Sequence, residues 1–183
     1  MKIAVSGTHR TGKTTLIEAL ADVLPSFKVF KEPYQQLAAD GHVFAAMPSL
    51  EDFELQLERS IESLIESEGN CLFDRCPYDI LAYLLSHEDS KAFQIDKWLP
   101  RVEEAVQLLD LIVFVPIEEQ DGIVELNPDQ DDLRQRVDEE LTEIVLGDSW
   151  NFGVRVFEVG GTVEERIRRV FMDMIDMHSV YRI

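Results

Sequence analysis

The chain has 183 residues, of which 45% are hydrophobic and 29% charged, and these proportions are typical of a globular protein rather than a disordered or fibrous one. Its 36 acidic residues outnumber its 17 basic residues, so the net charge of −19 repels nucleic acid and anionic lipid. We therefore expect no nucleic-acid partner and no membrane partner, and any bound phosphate must be held by a local site.

The length and the even composition predict one domain spanning residues 1–183, and they leave an oligomer possible. No apolar stretch approaches the roughly 20 residues that cross a bilayer, and the apolar start is too short for a secretory signal, so we expect a cytoplasmic protein. Cys71 and Cys76 match neither a redox pair nor a zinc knuckle and are expected to be reduced and structural. The histidines show no metal-ligand spacing: His9, His42, His87 and His178.

The first predicted strand, KIAVS (2–6), runs directly into GTHRTGKT (7–14). This is the G-x-x-x-x-G-K-T pattern of a phosphate-binding loop, which needs glycine because the backbone must curl and approach phosphate oxygens closely. Lys13 is expected to reach the β- and γ-phosphates and Thr14 to ligate Mg²⁺, while the helix that follows points its amides at the same anion. The predicted nucleotide-binding residues are Gly7, Thr8, His9, Arg10, Thr11, Gly12, Lys13, Thr14 and Thr15.

The second predicted strand, FKVFKE (27–32), brings Glu32 to the edge of the sheet where ligands bind. Glu32 could act as a general base toward an acceptor hydroxyl or hold that hydroxyl by a hydrogen bond, and the alternative is a plain turn residue before Pro33. Apolar residues at spacings of three and four then predict a helix through 50–65, which Ser49 could cap.

The third predicted strand, CLFDR (71–75), delivers two charged residues to the same edge. Asp74 is placed to hold the Mg²⁺ shell, with a helix N-cap as the alternative, and Arg75 could bind an acceptor or the transferring phosphoryl group, with a surface ion pair as the alternative. Pro77 is expected near a helix start, and Pro100 is expected to kink or divide the helical region before the next strand. Four aromatic residues could stack on a flat acceptor or belong to the core: Tyr34, Phe44, Tyr78 and Tyr83.

The fourth predicted strand, DLIVFVP (110–116), precedes the longest stretch without periodicity, the acidic segment 116–132. Such a segment is usually a lid or a disordered loop, and we predict a lid within 116–147 that includes a helix ending at Gly147. Arg134 and Arg136 could neutralise charge on the phosphoryl oxygens, although their spacing puts them on nearly opposite helix faces and at most one can do so. The alternative is pairing with acidic residues one turn along the helix.

The fifth predicted strand, VRVFEV (154–159), precedes a helix that begins with TVEE (162–165). Thr162 and Glu165 have the spacing of a capping box. Arg166 could flank the adenine or interact with charges at this helix end. The five short strands alternate with helices, so the sequence predicts an α/β fold with a parallel sheet covered on both faces.

Three motifs give the chain a resemblance to a known family: GTHRTGKTTL (7–16), DRCPYDILAYL (74–84) and GGTVEERIRRV (160–170). It resembles the P-loop nucleoside and nucleotide kinases, and more closely the bacterial AAA-type ATP-binding proteins related to ribosylnicotinamide kinase. The resemblance implies a three-layer α/β/α fold, a five-stranded parallel sheet in the order 2-3-1-4-5, an ATP site at its carboxyl edge and a lid after the fourth strand. Glu32–Pro33 is similar to the acid–proline pair that handles the acceptor in deoxynucleoside and thymidylate kinases, and Gly161 would lie beside the adenine.

The sequence thus predicts an ATP- and Mg²⁺-dependent kinase that acts on a small nucleoside-like or nucleotide-like acceptor. Thr14 and Asp74 are the predicted metal ligands, and the predicted catalytic residues are Lys13, Glu32, Asp74, Arg75, Arg134 and Arg136. Relatives often carry an arginine after the Asp–Gly of the lid, where this chain has Ile123 after 121–122. The alternative function is a nucleotide-binding regulatory ATPase or switch without a small-molecule acceptor. A Ras-like GTPase is not favoured, because its N-K-x-D motif is absent from the sequence.

Overall fold

The protein is described here by a computed structural model, which covers residues 1–45, 48–118 and 128–180, with only the backbone of 128–130 and 176–180. Its five strands are all parallel and form one sheet in the order β2-β3-β1-β4-β5. They are β1 (Lys2–Ser6), β2 (Lys28–Phe30), β3 (Cys71–Asp74), β4 (Leu111–Phe114) and β5 (Val156–Glu158). The predicted α/β fold and strand order are confirmed, and the strands are mostly shorter than the apolar runs that predicted them.

Helices separate the strands. They are α1 (Lys13–Val23), α2 (Pro33–Ala39), α3 (Leu50–Glu66), α4 (Pro77–Ser86), α5 (Leu99–Val106), α6 (Pro128–Val145) and α7 (Val163–Val180), with two short 3₁₀ turns at Ser90–Ala92 and Ile95–Lys97. Ser49 caps α3 as predicted, and its hydroxyl accepts a hydrogen bond from the Asp52 amide at 3.1 Å. Pro100 divides the helical region and does not kink a helix: it lies in the first turn of α5, just after the 3₁₀ turn at Ile95–Lys97, where no intrahelical donor is required.

The sheet lies between two helical layers, because alternate strand residues point to opposite faces. Residues such as Val5 and Val113 pack against α1 and α7 in one core, whereas Ala4 and Phe114 pack against the layer of α3, α4, α5 and α6 in the other. Among the described helices, none has the length and apolar character that a bilayer crossing requires.

The register of the central strand positions the site. Val5 in β1 pairs with Asp74 in β3 on one side and with Val113 in β4 on the other. The loop after β1 therefore emerges between the ends of its two neighbouring strands, at the carboxyl edge where ligands bind in parallel sheets. Part of the predicted lid, including 121–124 with its Asp–Gly pair, Ile123 and Val124, lies outside the described residues.

Candidate active site

The loop after β1 has the backbone conformation that its glycines predict. Gly7 has φ 152° and Gly12, which precedes α1, has φ 84°, and both values are unfavourable for other residues. A Cβ at Gly7 would also lie 2.3 Å from the carbonyl oxygen of Val115, so no side chain fits there. The loop thus presents its backbone, rather than side chains, at the start of α1, as a phosphate cradle requires.

Lys13 is the first residue of α1 and is only 5% exposed. Its Nζ donates to the carbonyl oxygen of Thr8 at 2.5 Å, and the Thr11 hydroxyl donates to the same carbonyl at 3.1 Å. Burial, and then the nearby positive charge of Arg75, lower the pKa of Lys13 to about 7. An anion that binds beside this buried ammonium group stabilises its charged form, because opposite charges attract strongly where water is excluded.

Asp74 and Thr14 meet at the end of β3. The Thr14 hydroxyl donates to Asp74 Oδ2 at 3.4 Å, and Asp74 Oδ1 is buried with no hydrogen-bond partner among the residues that the structure describes. Burial, and then the carboxylate of Glu32, raise the pKa of Asp74. A hydroxyl and a carboxylate with an unmatched oxygen beside a phosphate loop form a donor set that suits a hard cation such as Mg²⁺.

Arg75 connects the phosphate loop to Glu32. Its backbone has φ 76°, an unusual value for a side-chain-bearing residue that costs about 1–3 kcal/mol. Its Nε donates to Glu32 Oε2 at 2.9 Å, and its Nη1 donates to the carbonyl oxygen of Gly7 at 3.0 Å. Although burial acts in the opposite direction, the Arg75 guanidinium lowers the pKa of Glu32 below its usual value. Glu32 is therefore a carboxylate at neutral pH.

Asp79 was not predicted to belong to the site, yet it fixes the phosphate loop. It is fully buried, and its Oδ1 accepts from the Gly7 amide at 2.9 Å while its Oδ2 accepts from the Cys76 amide at 2.9 Å. Arg75 Nη1 also lies 3.4 Å from Asp79 Oδ1. The only signal in the sequence was the capping-box spacing of Cys76 and Asp79. It was not recognised because cysteine is not a usual N-cap residue.

The two lid-region arginines lie on different faces of α6. Arg134 is 4% exposed, and its Nε donates to the carbonyl oxygen of His9 at 3.1 Å. Arg136 is about half exposed and pairs with Asp132 one turn earlier on the helix, with Nε and Oδ2 3.1 Å apart. The structure therefore brings Arg134, but not Arg136, to the phosphate loop.

A cavity of about 330 Å³ lies beside the phosphate loop on its α3 and α4 side. The Phe53 and Tyr83 rings in its wall are nearly parallel, with centroids 5.5 Å apart, and Gln56 supplies an amide group. Sequence reasoning missed Phe53 because it belongs to an apolar stripe on α3 that indicated only core packing, and it missed Gln56 because no motif includes this residue. The cavity is lined by His9, Arg10, Glu32, Tyr34, Pro48, Phe53, Gln56, Arg75, Ile80, Tyr83 and Leu133.

The His9 side chain projects from the phosphate loop into the wall of this cavity. A ring nitrogen, Nδ1, lies 3.2 Å from the hydroxyl of Tyr83. Burial, followed by the positive charges of Arg75 and Arg134, lowers the pKa of His9 to about 4. His9 is therefore neutral at physiological pH and can exchange hydrogen bonds without adding charge.

Comparison with known proteins assigns the chain to a protein family. The family described as AAA domain matches residues 2–166. The chain belongs to this AAA domain family. No curated protein sequence matches it significantly.

Solved structures share the fold of this AAA domain at low sequence identity. Deoxyadenosine kinase from M. mycoides, with the products dCMP and dCDP bound, is 17% identical with a TM-score of 0.68, covering 97% of this chain and 100% of the other. The same kinase with bound dATP is 16% identical with a TM-score of 0.65, and the match covers 96% of this chain and 99% of the other. Thymidylate kinase from Candida albicans is 18% identical with a TM-score of 0.65, covering 97% and 92%. The predicted resemblance to P-loop nucleoside and nucleotide kinases is thus confirmed for the fold.

The structure places the predicted site residues of the AAA domain in different positions. The side chains that converge on the loop are Lys13, Thr14, Glu32, Asp74, Arg75 and Arg134. Thr8 and Thr11 are buried within the loop, whereas Arg10, with φ 61°, and Thr15 are exposed at its surface. Gly161 does not line the cavity, and its amide donates to Glu118 Oε1 at 2.8 Å.

Proposed function

We propose that this protein catalyses phosphoryl transfer from ATP, with Mg²⁺, to a small nucleoside-like or nucleotide-like acceptor. One observation carries the proposal: the Arg75 guanidinium bonds both the phosphate loop at Gly7 and the carboxylate of Glu32, at the mouth of an aromatic-lined cavity. A donor phosphate on the loop and an acceptor in the cavity would therefore meet beside Glu32 and Arg75. Holding the two reactants in this geometry is most of what phosphoryl transfer asks of a protein.

On the donor side, the loop amides and the Lys13 ammonium would hold the β- and γ-phosphates. Thr14 and Asp74 would hold Mg²⁺, which supplies charge neutralisation on the phosphoryl oxygens. No group of three or more His, Cys, Asp or Glu side chains within the described part of the chain could hold a metal ion. The ion would therefore complete its shell with phosphate oxygens and water, as Mg²⁺ commonly does.

On the acceptor side, Glu32 would hold the acceptor oxygen and, for a hydroxyl acceptor, take its proton. The acceptor oxygen then forms a bond to the γ-phosphorus while the bond from that phosphorus to the ADP oxygen breaks. Arg75 and Arg134 would stabilise the charge that develops on the transferring group. Arg136 has no part in this scheme, because it points away from the loop and pairs with Asp132.

The cavity lining supports a flat, hydrogen-bonding acceptor such as a nucleobase. The stacked Phe53 and Tyr83 rings give the cavity an aromatic wall. The Gln56 amide, whose Nε2 also donates to the carbonyl oxygen of Asp52 at 3.2 Å, has a second N–H and an oxygen for a base edge. His9, neutral and beside the Tyr83 hydroxyl, offers a further hydrogen-bonding group.

The proposal also takes residues 1–183 as one cytoplasmic domain with a lid within 116–147.

Acceptor dependence of turnover tests this proposal against a regulatory ATPase. The protein is incubated with ATP, Mg²⁺ and, in turn, each nucleoside and nucleoside monophosphate, and both ADP and the phosphorylated acceptor are quantified. The kinase predicts that one class of acceptor accelerates ADP release with equal formation of phosphorylated product. Slow ADP release that no acceptor changes would support the switch instead.

A further inference from the structure

We propose that Glu118 and Arg166 together set how tightly the phosphate loop holds its nucleotide. Arg166 acts as a positioning residue that strengthens binding, and Glu118 acts as a counter-charge that weakens it. The inference rests on the proposed function, since it concerns the affinity of the loop for Mg-ATP.

Arg166 supports the phosphate loop from behind. Its side chain is 6% exposed, and its Nη1 donates to the carbonyl oxygen of Thr11 at 2.6 Å. A Cβ at Gly12 would lie 3.1 Å from the same Nη1, so the guanidinium packs directly against the residue that precedes α1. The positive charge of Arg166 is therefore one hydrogen bond away from the turn whose amides would face the phosphates.

Glu118, four residues after the end of β4, neutralises this charge. Its Oε2 accepts from Arg166 Nη2 at 2.7 Å, and its Oε1 accepts from the Gly161 amide at 2.8 Å. A Cβ at Gly160 would lie 2.3 Å from Glu118 Oε1, so the carboxylate packs directly against this turn. The Glu118 carboxylate thus connects the segment after β4 to the turn before α7 and to Arg166.

The charges predict effects of opposite sign for the two residues. The positive charge of Arg166 strengthens the binding of a triphosphate. The negative charge of Glu118, close to the same guanidinium, weakens that binding. Arg166 Nε is also buried without a partner among the described residues, so the described protein groups do not satisfy this guanidinium fully. Removing the Glu118 charge should therefore leave a cation that an incoming phosphate stabilises.

The test measures the dissociation constant of Mg-ATP by calorimetry on the intact chain. Arg166→Lys should weaken binding about tenfold, because one ammonium group cannot bridge the Thr11 carbonyl and Glu118 as a guanidinium does. Glu118→Gln preserves the shape and one acceptor for the Gly161 amide, but its NH2 group cannot accept from Arg166 Nη2. The guanidinium is then no longer neutralised, and binding should tighten about threefold. If the contact between Glu118 and Arg166 only holds the loop in place, both variants should weaken binding.

Two exposed positions on α7 provide matched controls. Arg168→Lys and Glu164→Gln make the same chemical changes away from the loop and should stay within about twofold of the wild type. An Arg166→Lys variant that binds as the wild type does, or a Glu118→Gln variant that binds equally or more weakly, would overturn the inference. If Arg166→Lys does not fold, the sign of the Glu118→Gln effect decides. Absence of Mg-ATP binding in the wild type would instead contradict the proposed function itself.

Discussion

Glu32 and Arg75 form an ion pair at the carboxyl edge of the sheet, with Oε2 and Nε 2.9 Å apart. They follow neighbouring strands and lie between the phosphate loop and the aromatic cavity, so this pair marks the point at which we expect the donor and acceptor to meet. The pKa of Glu32 is lowered, because the guanidinium outweighs the cost of burial, so Glu32 is available as an ionised hydrogen-bond acceptor.

Replacing the Glu32 carboxylate by an amide should abolish its interaction with the acceptor proton. We expect Glu32→Gln to lower kcat by about 10²- to 10⁴-fold, the usual contribution of a general base. Mg-ATP affinity should change little, since Glu32 lies on the acceptor side of the loop. Steady-state kinetics and calorimetry measure the two effects, and a variant that retains its kcat would remove Glu32 from the mechanism.

Nucleotide binding should be accompanied by proton uptake at Lys13. Burial and Arg75 lower the pKa of Lys13 to about 7 in the free protein, and a bound phosphate should raise it again. At about pH 8 most free protein carries a neutral Lys13, so binding should take up nearly one proton and the affinity should fall almost tenfold per pH unit above about pH 8. Calorimetry in buffers of different ionisation enthalpy measures this uptake.

Lys13→Arg is the control for that prediction. Arginine stays protonated throughout the accessible pH range, so the variant should show no proton uptake from this position. Equal uptake by the wild type and Lys13→Arg would assign the proton to another group.

Neutralising Asp74 should affect function and stability in opposite directions. The pKa of Asp74 is raised by burial and by Glu32, so its ionisation costs the folded state stability at neutral pH. We expect Asp74→Asn to raise the melting temperature of the free protein by a few degrees and to weaken the apparent Mg²⁺ affinity at least about tenfold. Thermal unfolding and Mg²⁺ titration of turnover measure both, and a lower melting temperature with unchanged Mg²⁺ dependence is the contrary result.

Asp79 and Asp52 form a matched pair that separates helix capping from loop positioning. Each is the acidic residue of a capping box, at the start of α4 and α3 respectively, but only Asp79 also accepts from the Gly7 amide. Asp79→Asn should cost about 1–3 kcal/mol of unfolding free energy and also weaken Mg-ATP binding, because one buried amide loses its acceptor. Asp52→Asn should lower stability alone. Denaturant unfolding and calorimetry test this, and equal nucleotide affinities in both variants would show that Asp79 has no effect on the loop.

Features set by local sequence were predicted well. The phosphate loop follows from glycine and lysine spacing within eight consecutive residues, and the caps at Ser49 and Thr162 follow from residues three apart. The parallel sheet follows from short apolar runs alternating with helices, whereas its strand order came from family resemblance. These features depend on neighbours in the chain, which the sequence shows directly.

Features that depend on distant segments were not predicted. Asp79 meets Gly7 across 72 residues, and Glu118 meets Arg166 across 48, so neither pairing leaves a local pattern. For the pair at 134 and 136, helix periodicity indicated that one arginine at most faces the loop, but the packing of α6 was needed to identify it as Arg134. Phe53 was not recognised because an apolar helix stripe has the same spacing whether it faces the core or a cavity, and Gln56 belongs to no local pattern.

The most direct test of the account is the affinity of the chain for Mg-ATP, measured by calorimetry for the wild type and for Lys13→Ala at pH 7. We predict saturable binding of one Mg-ATP by the wild type and a loss of at least about tenfold in the variant, with unchanged folding by circular dichroism. No binding by the wild type, or equal binding by a folded Lys13→Ala variant, would contradict a phosphate site at this loop and the kinase mechanism built on it.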